Sequence, residues 1–381
     1  MKILIAGDFV PSNRIKAQVE SGCFNFLSEV RPIINSVDYA IVNLECPIVL
    51  RDAKPIDKTG PNIRAHEKLL ECILDNGFKC VTLANNHFRD YGQIGVEDTL
   101  NSCQSYGIDS VGGGRTLQEA EKILYKNIDG KRLAIINVCE SEWSIASEDY
   151  GGAAPLNPVR NFYAIQEARK QADSLIVIVH GGVEHYQYPT PRMIETYRFF
   201  IDAGADAVIN HHQHCFSGYE VYNRKPIIYG LGNFCFDQKD QKECIAWNEG
   251  YMLVLQINDD CVKFEVIPYT QCVNNPNVSL LTSDETIEFN KKIADINNTI
   301  ASQDLILKEF DNLLNDIADY RLSELEPFDN KYIRALQRRG ILKSFLSNRT
   351  LRNLNNIISC DSHREIILRL LHKLLIRNAS K

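Results

Sequence analysis

Carboxylates, amides and imidazoles follow five short apolar runs in the first 215 residues of the chain. These residues are Asp8, Asn43, Glu45, Asn85, Asn86, His87, His180, His211, His212 and His214. Oxygen and imidazole ligands without converging thiolates suit divalent ions such as Mn, Fe, Zn or Mg, whereas a structural zinc site would use cysteine. The candidates outnumber the ligands of one tetrahedral ion, so the pattern predicts two ions that share a bridging carboxylate.

Each of these residues also has a structural explanation when it is taken alone. Asp8 would cap a helix, Glu45 would be a solvated loop acid, and His180 would be a buried core histidine. Asn85 and Asn86 would form a turn. The combination favours a site, because the segment HHQH brings three imidazoles into four residues directly after a β-branched run.

The elements that must position these residues alternate between β-branched runs and amphipathic helical patterns. The runs that predict strands are 2–7, 39–45, 79–86, 132–138, 174–182 and 206–212. Helical patterns at 65–77, 95–107 and 191–204 each end at a glycine. This order predicts an α/β fold whose first strands are buried on both faces. Because the carboxyl ends of parallel strands lie along one edge of a sheet, the polar residues that follow them should meet there.

The second half of the chain changes from strands to helices. The runs 220–236, 251–257 and 262–269 follow one another without helices, as a second sheet or an antiparallel sheet would. From residue 283, apolar residues recur every three or four positions for some 36 residues, which predicts a long helix or a helical pair. More helical segments follow Pro327. We predict a metal-binding domain over 1–280 and a helical region over 281–381.

Composition restricts the class of protein. The chain has 381 residues, of which 44% are hydrophobic and 24% are charged, as is typical of a soluble globular protein. Its net charge of -7 gives no reason to expect nucleic-acid binding. The 12 cysteines are scattered without a CxxC pair, which favours reduced thiols. No run has the length of a signal peptide core or a membrane span, so we expect a cytoplasmic protein.

The charge of the chain is unevenly distributed. Residues 331–381 hold 12 Lys/Arg residues against only Asp361 and Glu365. A solvated helical surface is the simplest explanation of this basic tail. A membrane surface, or a protein or polyanionic partner, is the alternative explanation.

The ordered motifs resemble those of the capsule-biosynthesis CapA (poly-γ-glutamate synthesis) family. They are GD, NLE, ANNHxxDxG, HGGVEHY, DAGADAVINHHQH and IIYGLGNFCFD, and together they cover roughly residues 1–240. That family is similar to the calcineurin-like metallophosphoesterases. The resemblance therefore implies a two-sheet αββα sandwich with a two-metal site at the strand ends, to which the C-terminal helical region is added.

The resemblance also implies roles for single residues. Metal ligands would be Asp8 and His214 for the first ion, Asn86, His180 and His212 for the second, and Glu45 as the bridge between them. His87 would face the leaving group, and Asp90 would orient its ring. Substrate contacts would come from Lys58, Arg64 and Glu184, although the two basic residues also fit plain surface charges. Supporting contacts to the ligands would come from Asn43, Asn85 and His211.

The chain departs from the family pattern at a few positions. The wider superfamily begins with Asp-x-His, but Val10 stands two residues after Asp8, so the first ion would lack one imidazole. Gly181, Asn210 and Gln213 stand where Trp, Gly and Pro are usual. These three differences affect packing and the pocket wall more than the ligands.

Two functions from different classes fit this sequence. The first is a metal-dependent hydrolase of a phosphoester or a γ-glutamyl-type amide, acting on an anionic small molecule or polymer in capsule or envelope metabolism. The second is a non-catalytic assembly protein that binds polymer or partners, with the basic tail as its docking element. An amidohydrolase barrel is disfavoured, because its His-x-His pair would end the first strand, where this chain has GDFV.

Overall fold

The computed structural model describes residues 1–238, 245–258, 261–325, 330–339, 341–343 and 345–379. The strands are β1 (Lys2–Val10), β2 (Tyr39–Leu44), β3 (Cys80–Thr82), β4 (Asp109–Val111), β5 (Gly113–Gly114), β6 (Leu124–Ile128), β7 (Lys131–Cys139), β8 (Gly152–Ala153), β9 (Ser174–His180), β10 (Ala207–His211), β11 (Tyr219–Tyr222), β12 (Lys225–Ile228), β13 (Asn233–Phe236), β14 (Glu249–Ile257), β15 (Val262–Gln271) and β16 (Val278–Leu280). The six strands predicted from the first apolar runs are confirmed.

Helices connect these strands and follow them. They are α1 (Asn13–Ser21), α2 (Arg31–Ile34), α3 (Lys68–Asp75), α4 (Gly92–Tyr106), α5 (Leu117–Ala120), α6 (Pro158–Gln171), α7 (Pro191–Ala203), α8 (Ile245–Asn248), α9 (Ser283–Ile300), α10 (Gln303–Ser323), α11 (Lys331–Arg338), α12 (Asn348–Ser359) and α13 (Asp361–Ala379). The predicted glycine stops are present, since Gly107 caps α4 in the left-handed conformation and Gly204 caps α7 at positive φ.

Two sheets carry the fold. The first sheet has the order β16-β15-β14-β1-β2-β3-β4, and β13 pairs with β1 beyond this row. Its strands β1 to β4 are parallel, whereas β14 to β16 are antiparallel, as the runs without intervening helices predicted. The second sheet has the order β11-β12-β10-β9-β7-β6, with a parallel centre and antiparallel edges.

The core lies on both sides of the first sheet, because successive residues of β1 face opposite ways. Ile3 and Ile5 belong to a buried cluster that also contains Ile176 and Ile178 of the second sheet and residues of α6 and α7. Leu4 belongs to the cluster on the other side, where α1, α3 and α4 pack. The layers therefore run helix, sheet, sheet, helix, and the predicted αββα sandwich is confirmed. Each fully buried side chain of this size contributes about 1.5–3 kcal/mol.

The helix that follows the strands packs onto this core. Thr282 caps α9 through a reciprocal hydrogen-bond pair with Glu285. One face of α9 is buried in the cluster between the sheets through Phe289, Ile293 and Ile296. The predicted helical pattern after residue 283 forms a pair, α9 and α10, rather than one long helix.

The chain divides into two compact units, Met1–Leu307 and Lys308–Lys381. The first unit includes α9, so it extends past the boundary we predicted at residue 280. A chain cut at 280 would lose the apolar face that α9 contributes to the core. The second unit is helical, as predicted for the C-terminal region.

The cysteines and helices of the described part bear on two further expectations. The eleven cysteines in it are free thiols, and eight of them are buried, as the sequence predicted. Within the same residues, no helix combines the length and apolarity that crossing a bilayer demands.

Candidate metal centre

The ends of neighbouring parallel strands bring the polar residues of the sequence together. In the first sheet, Asp8 stands in register with Asn43 of β2 and with Asn233 of β13. In the second sheet, His180 at the end of β9 stands beside His211 at the end of β10. The two sheets thus present their strand ends to one buried space.

Two groups of three possible metal ligands occupy this space, and they share one residue. One group is Asp8, Glu45 and His214, and the other is Glu45, His180 and His212. Within each group the ligand atoms lie within 4.8 Å of one another, and all five side chains are buried. The structure therefore brings together all the carboxylate and imidazole ligands that the sequence predicted, and Glu45 is common to both groups.

The second group is a convergence of acceptor atoms. His180 Nε2 lies 3.1 Å from both His212 Nδ1 and Asn86 Oδ1, and 3.4 Å from Glu45 Oε1. Burial lowers the pKa of His180 well below its usual range and that of His212 to about 3, so both rings are neutral. A neutral imidazole has one ring hydrogen, and carboxylate and amide oxygens have none. A cation among these lone pairs would satisfy them all.

Glu45 is a second indication that a cation would be favourable in this space. Its side chain is 0% exposed, and neither carboxylate oxygen has a hydrogen-bond partner among the described residues. Burial, followed by the charges of Asp8 and Glu184, raises the pKa of Glu45 well above its usual value. An unpaired buried carboxylate costs several kcal/mol, roughly, which bound cations would offset. The donor set is compatible with divalent metal ions.

Asn43 supports both groups from β2. Its Nδ2 donates to Asp8 Oδ1 at 2.7 Å and lies 3.3 Å from His180 Nδ1. Thr82 Oγ1 donates to Asn43 Oδ1 at 3.0 Å, which fixes the amide in this orientation. Asn43 therefore positions a predicted ligand of each group.

The other two predicted supports act on the backbone. Asn85 Nδ2 donates to the carbonyl of Leu44, and Asn85 Oδ1 accepts from the N–H of His87. His211 Nε2 lies 3.0 Å from the carbonyl oxygen of Ala6. Asn85 thus joins the end of β2 to the backbone of His87, and His211 joins the end of β10 to β1.

The turn that carries the terminal histidines has an unusual backbone. His212 and His214 have φ values of 93° and 56°. Such left-handed conformations cost about 1–3 kcal/mol each in residues other than glycine. These conformations direct the rings of His212 and His214 into the same buried space, so the strained turn places both imidazoles in the ligand groups.

His87 lies beside the ligands with its own partners. Its Nδ1 is 2.7 Å from Asp90 Oδ2, and its side chain is 10% exposed. Burial lowers its pKa against the opposing effect of Asp90, and the charge of Lys58 lowers it further. The predicted pair of His87 and Asp90 is thus in contact.

The three predicted substrate contacts differ in their surroundings. The side chain of Lys58 is 2% exposed and its Nζ lies 2.5 Å from Asp90 Oδ1, so its ammonium is held in a buried ion pair rather than presented to an anion. Arg64 is exposed and its guanidinium lies 5.3 Å from the ring centroid of Tyr91. Glu184 is exposed and close enough to the site for its charge to raise the pKa of Glu45, after burial and Asp8.

Sequence reasoning missed two residues of this site. Glu142 Oε1 lies 3.6 Å from His212 Nε2, and Asn233 Oδ1 lies 2.9 Å from His214 Nδ1. Each faces the ring nitrogen that would fix the orientation of a proposed ligand. Glu142 follows the predicted strand at 132–138, so the rule that found Asp8 could have found it. Asn233 lies in the motif IIYGLGNFCFD, where its role had no separate signal.

Comparison with known proteins identifies relatives that match most of the first unit. The family model described as "Bacterial capsule synthesis protein PGA_cap" matches residues 2–238. The capsule biosynthesis protein CapA of Bacillus anthracis is 32% identical over 247 residues, which cover 62% of this chain and 60% of that protein. A probable polyglutamine synthesis accessory protein of Mycobacterium tuberculosis is 27% identical over 235 residues, which cover 58% of this chain and 60% of that protein. The match thus spans about 60% of the length of these relatives.

A 5'-nucleotidase precursor from Thermus thermophilus is among the solved structures that match this chain. It covers 79% of this chain and 59% of its own, with 9% sequence identity and a TM-score of 0.43.

Proposed function

Because the chain belongs to the bacterial capsule synthesis protein PGA_cap family, we propose that it is a metal-dependent hydrolase in the synthesis of a capsule or another envelope polymer. Its proposed substrate is an anionic small molecule or polymer with a phosphoester or a γ-glutamyl-type amide. The observation that carries the proposal is Glu45, a buried carboxylate without hydrogen-bond partners among the described residues, common to two groups of ligands.

Two divalent ions would be held by this chain. Asp8, His214 and Glu45 would hold one ion, and Glu45, Asn86, His180 and His212 would hold the other. Mn, Fe, Zn or Mg suits these oxygen and imidazole donors. When bound, the ions supply Lewis acidity for the phosphoryl or acyl oxygen and make water nucleophilic near neutral pH.

His87 is the proposed catalytic residue of the chain itself. Asp90 accepts the hydrogen bond of Nδ1, which leaves Nε2 as the ring atom that would take up a proton from water and pass it to the leaving group. Arg64 and Glu184 stay predicted substrate contacts at the exposed rim.

Metal removal and reloading test this proposal. Protein stripped with a chelator and reloaded with Mn, Fe or Zn is expected to carry two equivalents and to hydrolyse a phosphodiester, phosphomonoester or γ-glutamyl substrate only when loaded. Each ion at a hundred times its dissociation constant should add about 2.7 kcal/mol of stability, measured by urea unfolding. Binding of less than one equivalent, with no change in unfolding, would refute the proposal.

A second candidate function is an assembly protein that docks through the C-terminal unit. The specific observation is the surface of α13, where Ile366, Leu368 and Leu371 are each more than half exposed among basic residues such as Arg364 and Arg369. Exposed leucines interspersed with arginines suit an anionic lipid surface, because such a surface takes up both apolar and basic side chains. The Mycobacterium relative, named as an accessory protein, is compatible with this role.

Vesicle binding tests the docking role. The full chain is expected to sediment with phosphatidylglycerol vesicles and not with phosphatidylcholine vesicles. The double variant R364E/R369E should bind at least about 30-fold more weakly, since each basic residue at such a surface contributes about 1 kcal/mol and the two together contribute about 2 kcal/mol. The matched variant K54E/K263E makes the same charge change at exposed lysines of the first unit and should bind like the wild type. Binding to soluble poly-γ-glutamate but not to vesicles would instead indicate a polymer partner.

A further inference from the structure

The proposed mechanism gives no role to Lys58, although its side chain is buried. Its side chain is 2% exposed, and its ammonium lies 2.5 Å from Asp90 Oδ1 and 3.2 Å from His87 Nδ1. The two oxygens of Asp90 are divided between these partners, since Oδ2 lies 2.7 Å from the same ring nitrogen of His87. Lysine, aspartate and histidine thus form one closed cluster.

The segment that carries Lys58 is fastened to Asp90 at further points. The N–H of Ile63 donates to Asp90 Oδ2 at 2.8 Å, and the N–H of Ile56 donates to the carbonyl of Asp90 at 2.9 Å. This irregular segment between β2 and α3 therefore holds Lys58 in place through its own backbone. The ammonium is positioned by the fold and not by chance contact of a mobile surface chain.

The charge of Lys58 has a definite consequence for Asp90. Asp90 is 0% exposed, and the ammonium 2.5 Å from its Oδ1 is the cation that compensates the charge of a carboxylate in such a place. An ionised carboxylate can only accept hydrogen bonds, so the hydrogen between Asp90 and His87 must lie on Nδ1 of the ring. The other ring nitrogen, Nε2, then has a free lone pair.

We propose that Lys58 is a positioning residue, which keeps Asp90 as a carboxylate and thereby fixes His87 as the tautomer with hydrogen on Nδ1 and a free Nε2. This proposal rests on the proposed function only in that His87 transfers a proton to the leaving group. It replaces the predicted role of Lys58 as a contact for a substrate anion, because the ammonium is already paired and out of solvent.

The tautomer of His87 is the first readout of the test. In the wild type labelled with 15N-histidine, Nε2 of His87 should give an unprotonated resonance, assigned by its absence in H87Q. In K58M, Asp90 would carry a hydrogen or share one with the ring, and in either arrangement Nε2 is expected to become protonated. K58R, which keeps the positive charge, should restore the wild-type resonance. An unprotonated Nε2 in K58M would overturn the proposal.

Kinetics and metal content give the second readout. K58M is expected to lower kcat about 10- to 100-fold, with KM and the two bound ions unchanged, as is usual for residues that orient a reacting group. The matched control K54M removes an exposed lysine of the same segment and should change neither readout. Wild-type kcat in K58M would contradict the proposal, as would loss of metal. If K58M does not fold, K58Q carries the same test, because its amide has no charge.

These outcomes separate the two proposals. If the wild type binds no metal and hydrolyses nothing, the proposed function fails, while the nitrogen resonances of K58M still decide the role of Lys58. If the wild type is active and the resonances of K58M match it, only the role of Lys58 fails.

Discussion

Replacing Glu45 with glutamine is expected to abolish the binding of both metal ions and the hydrolysis that depends on them. Glu45 is the one residue common to both groups of ligands, and a neutral amide offers neither the charge nor the second oxygen that two ions require. The loss in kcat/KM should exceed about 10³-fold, because bound ions contribute several kcal/mol to catalysis. Metal analysis of the purified variant and steady-state kinetics give the two measurements.

The same substitution should raise the stability of the metal-free protein at neutral pH. Burial holds the pKa of Glu45 well above its usual value of 4.5, so the folded state binds a proton more tightly than the unfolded state. The stability that this proton linkage contributes is full below pH 4.5 and decreases as the pH rises toward the folded pKa. Because glutamine does not ionise, the stability of the E45Q variant shows no such decrease. Urea unfolding of stripped protein should therefore show E45Q gaining on the wild type between pH 5 and 8.

A buried carboxylate elsewhere provides the control for Glu45. Asp98 is 4% exposed, but it accepts hydrogen bonds from the backbone N–H groups of Leu50 and Arg51 and from the Arg51 side chain. D98N should therefore lower stability by about 1–3 kcal/mol and leave metal content unchanged. Retention of one full equivalent of metal by E45Q would show that the two ions do not share this residue.

Replacing His87 with alanine is expected to reduce turnover about 10²- to 10⁴-fold while both ions stay bound. The ring is in contact with Asp90 and Lys58, and the two groups of ligands do not include it. The loss should be larger for substrates with poor leaving groups than for nitrophenyl esters, because the latter leave without a proton. Turnover measured with both kinds of substrate, together with metal content, checks this.

An exposed histidine of the same unit is the matched control. His66 lies before α3 and accepts from the N–H of Lys68, away from the ligand groups. H66A should keep both kcat and metal. Equal activity in H87A would remove its catalytic role, and loss of metal in H87A would make the residue part of the metal site instead.

The fold and the convergence of the site follow from patterns that act locally. Continuous apolar runs such as those of β1 and β9 can only be buried on both faces, and this requires layers above and below them. A polar residue directly after such a run must then lie at the sheet edge. Asp8, His180 and His212 come together for this reason, although they are far apart in sequence.

The contacts made by irregular segments could not be predicted in this way. Lys58 lies in a stretch without periodicity, so nothing in the sequence indicated that it would be buried against Asp90. The charge of Lys58 instead suggested an exposed contact for an anion. Likewise, the apolar stripe of α9 predicted a helix but not its packing surface, which is why the predicted boundary at 280 falls before the end of the first unit.

The pairing of β1 has a consequence for the order of events during synthesis. β1 lies between β2 and β14, and Lys2 pairs with Gln256, which is distant from it in sequence. At ribosomal rates of about 5–20 residues per second, β1 must wait roughly 10–50 s for this partner. Until then the edge of β1 at Lys2 to Ile5 is unpaired, whereas Asp8 at the other end of the strand pairs with Asn233 of β13. The nascent chain therefore cannot fix Asp8 in the sheet as the ligands emerge, because β13 is synthesised after all of them, and metal loading should follow the arrival of β13.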